Sequence, residues 1–420
     1  MQHNNLVSLI KVLFSAAALL LLALIISRVY VPIEESAHHL TLQSRVMLNN
    51  SESLSSAIRP NVWPPGYALL LLAARKIDYP LQYVNLGLFY LTIALLYIVA
   101  KKCSQNISPF WLPLSYAFCA FNYYNLAQFT SEAVDVPLSL LTLLFLETYQ
   151  RRRTFTSILY LSICCSLLFV SRYQTVIWLT PIIGYYLVVT FRSASLRKTA
   201  LWHSISFFVI AFSPLALFMA SNFHQTGYLT GMERFDWSSR PVHGKVGYFP
   251  TSTGFNENVL LTAKTYFLDF DSPVEFGTHQ ANHLQHSISN VEMGVIGIFI
   301  LAMVVFVLNL IRFIRTHEGI SSTLNIWKHT SPITLIATEY LVVYIIVTIL
   351  IWTVGNNDPI YTRFLYPSYI YFMIGLFSVY SFLKRESTSK MSKLPFLMLF
   401  LCLSAVSLYK LYNSNIWYWD

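Results

Sequence analysis

Continuous apolar runs of about 17 to 25 residues recur along the chain, and they restrict its fold more than any other feature. A transmembrane helix needs about 20 such residues, whereas a transmembrane strand needs only about ten, with alternating character. Of the 420 residues, 55% are hydrophobic and 11% are charged, which leaves too few polar residues to cover a water-soluble protein. The sequence therefore predicts an all-α polytopic membrane protein.

The positions of the basic residues predict how the chain is threaded, because Lys and Arg favour cytoplasmic loops. The first span, about Leu6 to Tyr30, is taken to run outward, so that residues 31–77 form the first outer loop. The apolar run from Trp63 to Ile77 is short for a span, and if it crossed, Lys101-Lys102 and Arg151–Arg153 would lie outside. We therefore interpret it as a re-entrant or interface-lying helix, and expect an interfacial helix over Glu34–Leu48 as well.

On this interpretation residues 1–420 form one domain of about 11 transmembrane helices, with the amino terminus inside and the carboxyl terminus outside. Five predicted cytoplasmic loops then hold more than half of the 28 Lys and Arg residues. The net charge of +9 does not indicate nucleic acid as a partner, because no basic cluster lies on a soluble domain. A second large outer loop, residues 221–290, is expected to form an ordered polar lid. The ten later spans are approximately Leu81–Ala100, Pro109–Asn125, Thr130–Tyr149, Phe155–Val170, Thr175–Phe191, Thr199–Ala220, Val291–Ile314, Pro332–Val354, Phe364–Leu383 and Leu394–Tyr412.

A pair of carboxylates, Glu34 and Glu35, directly follows the first span. Acidic side chains close to lipid are costly, so they usually have a function there. A carboxylate can remove the proton of an attacking hydroxyl or amine, and either residue is a candidate general base, with a slight preference for Glu35. The alternative is a solvated acidic face of an interfacial helix.

Other candidate substrate-binding residues lie near predicted outer ends of spans. Trp63 and Tyr67 flank the Pro-Pro-Gly start of the short helix, and Glu132 opens a later span, three residues before Asp135. For Glu132 the alternative is a favourable charge at a helix N-terminus. Arg172, between two apolar runs, is either a snorkelling turn residue or a phosphate ligand. Arg363 lies in an outer loop, where basic residues are disfavoured, and is a further phosphate candidate.

Together these motifs resemble the GT-C glycosyltransferases, especially bacterial aminoarabinose transferases and protein O-mannosyltransferases. The motifs are the acid pair, Trp63-Pro64-Pro65-Gly66-Tyr67, Ser131-Glu132-Ala133 and Tyr361-Thr362-Arg363-Phe364-Leu365-Tyr366-Pro367. The resemblance implies a GT-C-like bundle that moves a sugar from a polyprenyl-phosphate donor to a lipid, glycan or protein acceptor, at the outer face of a membrane. It also implies a bacterial inner membrane as the location. The usual motif of that family begins with Asp, whereas this chain has Glu34-Glu35.

Metal binding and transport are weaker interpretations of the same sequence. His279, His283 and His286 share one face if helical, and His38 and His39 adjoin the acid pair, but no carboxylate interleaves the three histidines. No metal ligand is therefore assigned, although a divalent metal ion stays open as a cofactor. A lipid-linked saccharide transporter or flippase would place charges near the bilayer midplane, and the predicted spans hold few. A glycan polymerase would share the large outer loop and is not distinguished.

Overall fold

A computed structural model describes residues 64–80, 82–103, 107–117, 131–191, 197–227, 229, 331–355 and 362–386. These residues form α-helices and the turns between them, with no strand in the described ranges. The helices are α1 (Gly66–Lys76), α2 (Gln82–Cys103), α3 (Trp111–Ala117), α4 (Glu132–Arg152), α5 (Phe155–Ser171), α6 (Tyr173–Phe191), α7 (Arg197–Thr226), α8 (Pro332–Gly355) and α9 (Thr362–Glu386).

The apolar runs do form helices long enough to cross a membrane. Four segments, within α2, α6, α7 and α8, meet the length and composition of a span, and α5 is a shorter apolar helix. The predicted all-α class is therefore confirmed for the described residues. The bounds of α2, α4, α5, α6, α8 and α9 lie within three residues of those expected, whereas α7 ends six residues beyond the expected Ala220. The total of about 11 spans stays a prediction, because the first span and other predicted spans lie outside the described residues.

Contacts between helices define two ends of the bundle. At one end Lys102 of α2 contacts Glu147 of α4 at 2.7 Å, and Arg151 also pairs with Glu147. His203, near the start of α7, lies 3.3 Å from the hydroxyl of Tyr149 at the same end. Because most basic residues of α2, α4 and α7 gather here, we call this the basic end. The opposite end, where α4 begins with Glu132, is the acidic end.

Consecutive helices from α4 to α7 run in alternating directions between these ends, whereas α7 and α8 both begin at the basic end. Arg153 ends α4 in the left-handed conformation, with φ of 51°, and Thr154 then caps α5, so that α4 and α5 form a tight hairpin. The hydroxyl of Thr334, at the start of α8, forms hydrogen bonds with Ser378, near the end of α9, and with Cys103, at the end of α2. It follows that α8 ends, and α9 begins, at the acidic end.

An aromatic cluster holds α6, α8 and α9 together in the core. The ring of Trp178 packs edge-on against Tyr340 and Tyr344, with centroid distances of 5.2 and 5.3 Å, and against Tyr371 at 6.2 Å. Edge-to-face pairs at these distances add to the free energy gained from burial of the rings. The cluster lies beneath the acidic end and supports the helices that carry its polar side chains.

One carboxylate lies within a predicted span. Glu339 lies in the second turn of α8, toward the basic end, and accepts a hydrogen bond from Tyr186 of α6 at 2.7 Å. The sequence predicts few charged residues within the spans, and Glu339 is one of those few. Because the residue stands alone in an apolar stretch of sequence, no spacing pattern indicated its partner.

The short helix α1 packs at the acidic end. Its buried residues Tyr67, Ala68, Leu71 and Leu72 meet Val84 at the start of α2 and Val134 at the start of α4. Gly66 lies directly against the end of α5, where an added Cβ would be 2.6 Å from Ser171 Oγ and 2.8 Å from the Val170 carbonyl oxygen. Only glycine allows this approach. That α1 lies at a membrane surface within an outer loop of residues 31–77 stays a prediction.

We expect Gly66→Ala to lower the thermal stability of the protein, by about 1–3 kcal/mol in free energy of unfolding, because the new methyl group overlaps backbone that cannot move freely. Gly184→Ala in α6 is the matched control, since its Cβ would meet nothing within 4 Å. The control should be neutral or stabilising by up to about 1 kcal/mol. Thermal melts of both variants in detergent test this, and equal melting of Gly66→Ala and wild type would contradict the close packing.

Candidate active site

The candidate site lies at the acidic end, where α5 turns into α6. Arg172 occupies this turn in an extended conformation, with φ of −152° and ψ of 121°, between two helices of opposite direction. The extended residue directs the guanidinium back toward α4. Arg172 Nη1 donates to Asp135 Oδ2 at 3.0 Å, and Nη2 lies 3.7 Å from Glu132 Oε1. The side chain is only 8% exposed.

The two carboxylates come from the first turn of α4. Glu132 and Asp135 are three residues apart and therefore share one face of the helix. The N-terminus of a helix stabilises negative charge, which helps to hold both carboxylates there. Asp135 is 0% exposed and its Oδ1 has no hydrogen-bond partner among the described residues, whereas Glu132 is 6% exposed and more loosely paired. We call Glu132, Asp135 and Arg172 the charged cluster.

The charges of the cluster favour a ligand group that is a cation or a hydrogen-bond donor over an anionic group. Burial lowers the pKa of the Arg172 guanidinium, but the charges of Glu132 and Asp135 raise the pKa by more, so the group stays charged. With both carboxyls ionised, two negative charges face one positive charge. A ligand group beside the cluster is therefore favoured if it is a cation or a hydrogen-bond donor, and a phosphate is disfavoured.

A polar chain connects the charged cluster to α8. Arg172 Nη2 donates to Gln174 Oε1 at 3.5 Å, and Gln174 Nε2 donates to Thr348 Oγ1 at 3.0 Å. Thr348 is fully buried near the end of α8. The hydrogen bonds thus tie the position of the guanidinium to a third helix. Gln174 and Thr348 lie 174 residues apart, and no local pattern in the sequence predicts their contact.

Tyr67, the second residue of α1, is fully buried, so its side chain is not exposed at the surface of the bundle. Its hydroxyl donates to Asn85 Oδ1 of α2 at 2.6 Å, and burial raises the pKa of that hydroxyl far above its usual value. The bond fixes α1 against α2. Tyr67 lies one residue after Gly66, which contacts the turn that carries Arg172, so α1 and the charged cluster are neighbours.

Several predicted site residues lie outside the described residues: Glu34, Glu35, His38, His39, Trp63, His279, His283 and His286. Their placement stays a prediction. The backbone of Arg363 lies in the first turn of α9 at the acidic end, and its side chain is outside what the structure describes. The described part of the chain contains no group of three His, Cys, Asp or Glu side chains arranged to hold a metal ion.

The structure bears on one of the two interpretations of Arg172. The snorkelling interpretation is wrong, because a snorkelling guanidinium reaches water, whereas this one is buried against Asp135 and Glu132. Its use as a ligand for phosphate stays a prediction. Glu132 does lie at a helix N-terminus, and it also approaches Arg172, which a helix-end charge alone does not require.

The long apolar helices support an integral membrane protein, and Glu132, Asp135 and Arg172 form a buried polar cluster at one end of the bundle. Residues 67–218 match the model of a family described as dolichyl-phosphate-mannose-protein mannosyltransferase. The matched segment is little more than a third of the chain and contains α1 to α6, most of α7 and the whole charged cluster. No curated protein and no solved structure matches the chain.

This match confirms the resemblance to GT-C membrane glycosyltransferases that the motifs predict. It implies a glycosyltransferase of the GT-C type. The donor, the acceptor, the catalytic base and the active face are properties that the match does not supply, and they are treated below as proposals.

Proposed function

We propose that the protein transfers a sugar from a polyprenyl-phosphate carrier to a lipid, glycan or protein acceptor at the outer face of a bacterial inner membrane. The observation that carries the proposal is the charged cluster, which lies within the segment that matches a mannosyltransferase family. The lipid tail of such a donor stays in the bilayer, so its sugar must react at the surface. A site at one end of a membrane bundle suits that requirement.

In the proposed reaction an acceptor hydroxyl or amine attacks the anomeric carbon of the donor sugar. Glu35, or its neighbour Glu34, takes the acceptor proton as the new bond forms. The bond from the anomeric carbon to the phosphate oxygen breaks, and the lipid phosphate leaves with the electron pair. The negative charge of the cluster favours hydrogen-bond donors, so we place the attacking hydroxyl or amine of the acceptor beside it, next to Glu132, which is less deeply buried than Asp135.

The leaving phosphate needs a cation beside it, and we assign this role first to Arg363. Arg172 is already committed to two carboxylates, whereas α9 begins with Arg363 at the same end of the bundle. Trp63 is proposed to line the donor site, and Tyr67 to support it by holding α1 against α2. A divalent metal ion beside the phosphate stays open.

We expect Arg363→Lys to lose most of the transfer activity and Arg363→Ala to lose nearly all of it. Lysine keeps the charge but cannot grip two phosphate oxygens at once, as the guanidinium fork does. Turnover of a polyprenyl-phosphate donor by purified variants is the measurement, with Arg75→Lys on α1 as a control for a general effect of the exchange. Normal turnover by both Arg363 variants would show that the phosphate is held elsewhere.

The proposed active face can be tested by measuring the membrane topology of the chain. The basic residues of α2, α4 and α7 gather at the end opposite the charged cluster, which suggests that the acidic end faces outward. We expect a cysteine at Asn256 to be labelled from outside by an impermeant reagent, and a cysteine at Ser389 to be protected. The reverse pattern would place the proposed site in the cytoplasm.

Transport of a lipid-linked saccharide is the second candidate, and Glu339 is the observation that favours it, as a carboxylate inside a span. A transporter leaves the sugar bound to its carrier, whereas a transferase removes it. Mass spectrometry of envelope lipids and glycans from cells with and without the protein separates the two. The proposal predicts the loss of one sugar from one acceptor; unchanged glycans would reject it, and a glycan polymerase would instead change chain length.

A further inference from the structure

The corner between α1 and α2 exposes basic, aromatic and aliphatic side chains that have no role in the proposed transfer reaction. The helix α1 ends with Arg75 and Lys76, and α2 begins at Gln82. Lys76 is exposed, and Ile77 is 75% exposed next to it. Tyr79 and Tyr83 are 45% and 46% exposed, with ring centroids 6.2 Å apart in an edge-to-face pair. We call residues 75–83 the α1–α2 corner.

The two cations of this corner lie at the acidic end, against the distribution of basic residues in the described helices. Lys101, Lys102, Arg151 and Arg152 all lie at the basic end. Lys76 is exposed at the opposite end from these four residues, where it can meet an anionic group outside the protein. The exposed tyrosines and Ile77 indicate what surrounds the corner, because aromatic rings of this kind lie at the level of lipid headgroups.

We propose that the α1–α2 corner binds the headgroup phosphates of anionic phospholipids in the surrounding bilayer. Lys76 and Arg75 supply the positive charge, Tyr79 and Tyr83 lie among the headgroups, and Ile77 enters the acyl region. Each juxtamembrane Lys or Arg adds its own attraction to an anionic lipid surface. The site anchors the end of α1 that is remote from the charged cluster.

We assign the corner to a bilayer lipid, and not to the lipid phosphate of a sugar donor, because the corner is far from the charged cluster. Gly66 at the start of α1 contacts the turn that carries Arg172, and Lys76 is the last of the 11 residues of the same helix. A helix of that length is about 16 Å long. A donor phosphate held at Lys76 would lie too far from the charged cluster for its sugar to react there.

The test titrates the purified full-length protein with phosphatidylglycerol, phosphatidylcholine and undecaprenyl phosphate in separate experiments, and counts bound lipid by native mass spectrometry. We expect phosphatidylglycerol to be preferred over phosphatidylcholine, and Lys76→Gln to lower its affinity about fivefold. Asp78→Asn is the matched variant, and we expect it to change the affinity in the opposite direction. It removes a negative charge from the same turn and keeps a residue type that tolerates the φ of 53° found there, so it should raise the affinity.

An affinity for phosphatidylglycerol that does not change in Lys76→Gln overturns the proposal. Binding of undecaprenyl phosphate that depends on Lys76, with no such dependence for phosphatidylglycerol, also overturns it, because the occupant would then be the carrier. Because Lys76 is exposed, its substitution is not expected to affect folding, and a thermal melt checks this. The measurement does not depend on sugar transfer, so failure of the proposed function leaves its outcome unchanged.

Discussion

Replacement of Arg172 by glutamine is expected to destabilise the bundle by about 3–5 kcal/mol and to abolish sugar transfer. The guanidinium is 8% exposed and donates to the fully buried Asp135 at 3.0 Å. Without it, the buried carboxylate has no cation beside it, and the connection through Gln174 to α8 is also lost. Thermal unfolding and transfer by the purified variant in detergent measure both effects.

A double variant separates the charge from the folding defect. In Arg172→Gln/Asp135→Asn the excess charge is removed together with the guanidinium, so most of the lost stability should return. Transfer should not return, because the cluster that we place beside the acceptor is still altered. Arg172→Lys is the conservative control and should retain more stability than the glutamine variant. A single Arg172→Gln variant that melts like wild type would contradict the buried pairing.

Replacement of the general base is expected to reduce the rate of transfer about 10²- to 10⁴-fold without loss of the fold. Glutamine keeps the shape and hydrogen-bonding capacity of glutamate but cannot accept the proton. We expect this effect for Glu35→Gln, and a smaller one for Glu34→Gln, since neighbouring helical residues point about 100° apart. The measurement is transfer by each purified variant after donor binding has been verified.

Glu132→Gln is the matched control for the base, because it neutralises a carboxylate that contacts Arg172 and lies in another segment. If Glu34→Gln and Glu35→Gln both retain near-normal rates, the base is not in the first outer loop. A large rate loss in Glu132→Gln alone, with donor binding intact, would then assign the base to the charged cluster.

The helices could be predicted from the sequence because their signal is local. An apolar run of sufficient length must satisfy its own backbone hydrogen bonds within a membrane, and a helix does so. For this reason α5 was expected to begin at Phe155 and α8 at Pro332, where the structure places them. The ends were harder to predict, since Thr154 and Arg153 define the α4–α5 turn through a cap and a left-handed residue.

The charged cluster could be predicted only in part. Glu132 and Asp135 share a helix turn, and their spacing indicates a common face. The partner, Arg172, lies 37 residues from Asp135, and its burial depends on how α4 and α5 pack as a hairpin. A single arginine between apolar runs is equally consistent with snorkelling, so the contact that decides its role is visible only in three dimensions.

The central claim is that the chain catalyses sugar transfer from a polyprenyl-phosphate carrier. The most direct measurement incubates the purified protein with a defined series of radiolabelled undecaprenyl-phosphate sugars and envelope extract as acceptor, and follows the label. The proposal predicts that the label from one donor moves to an acceptor, with release of free undecaprenyl phosphate, and that Glu35→Gln prevents this. Label that stays on the carrier for every donor, while reconstituted vesicles move the intact donor across the bilayer, would contradict it.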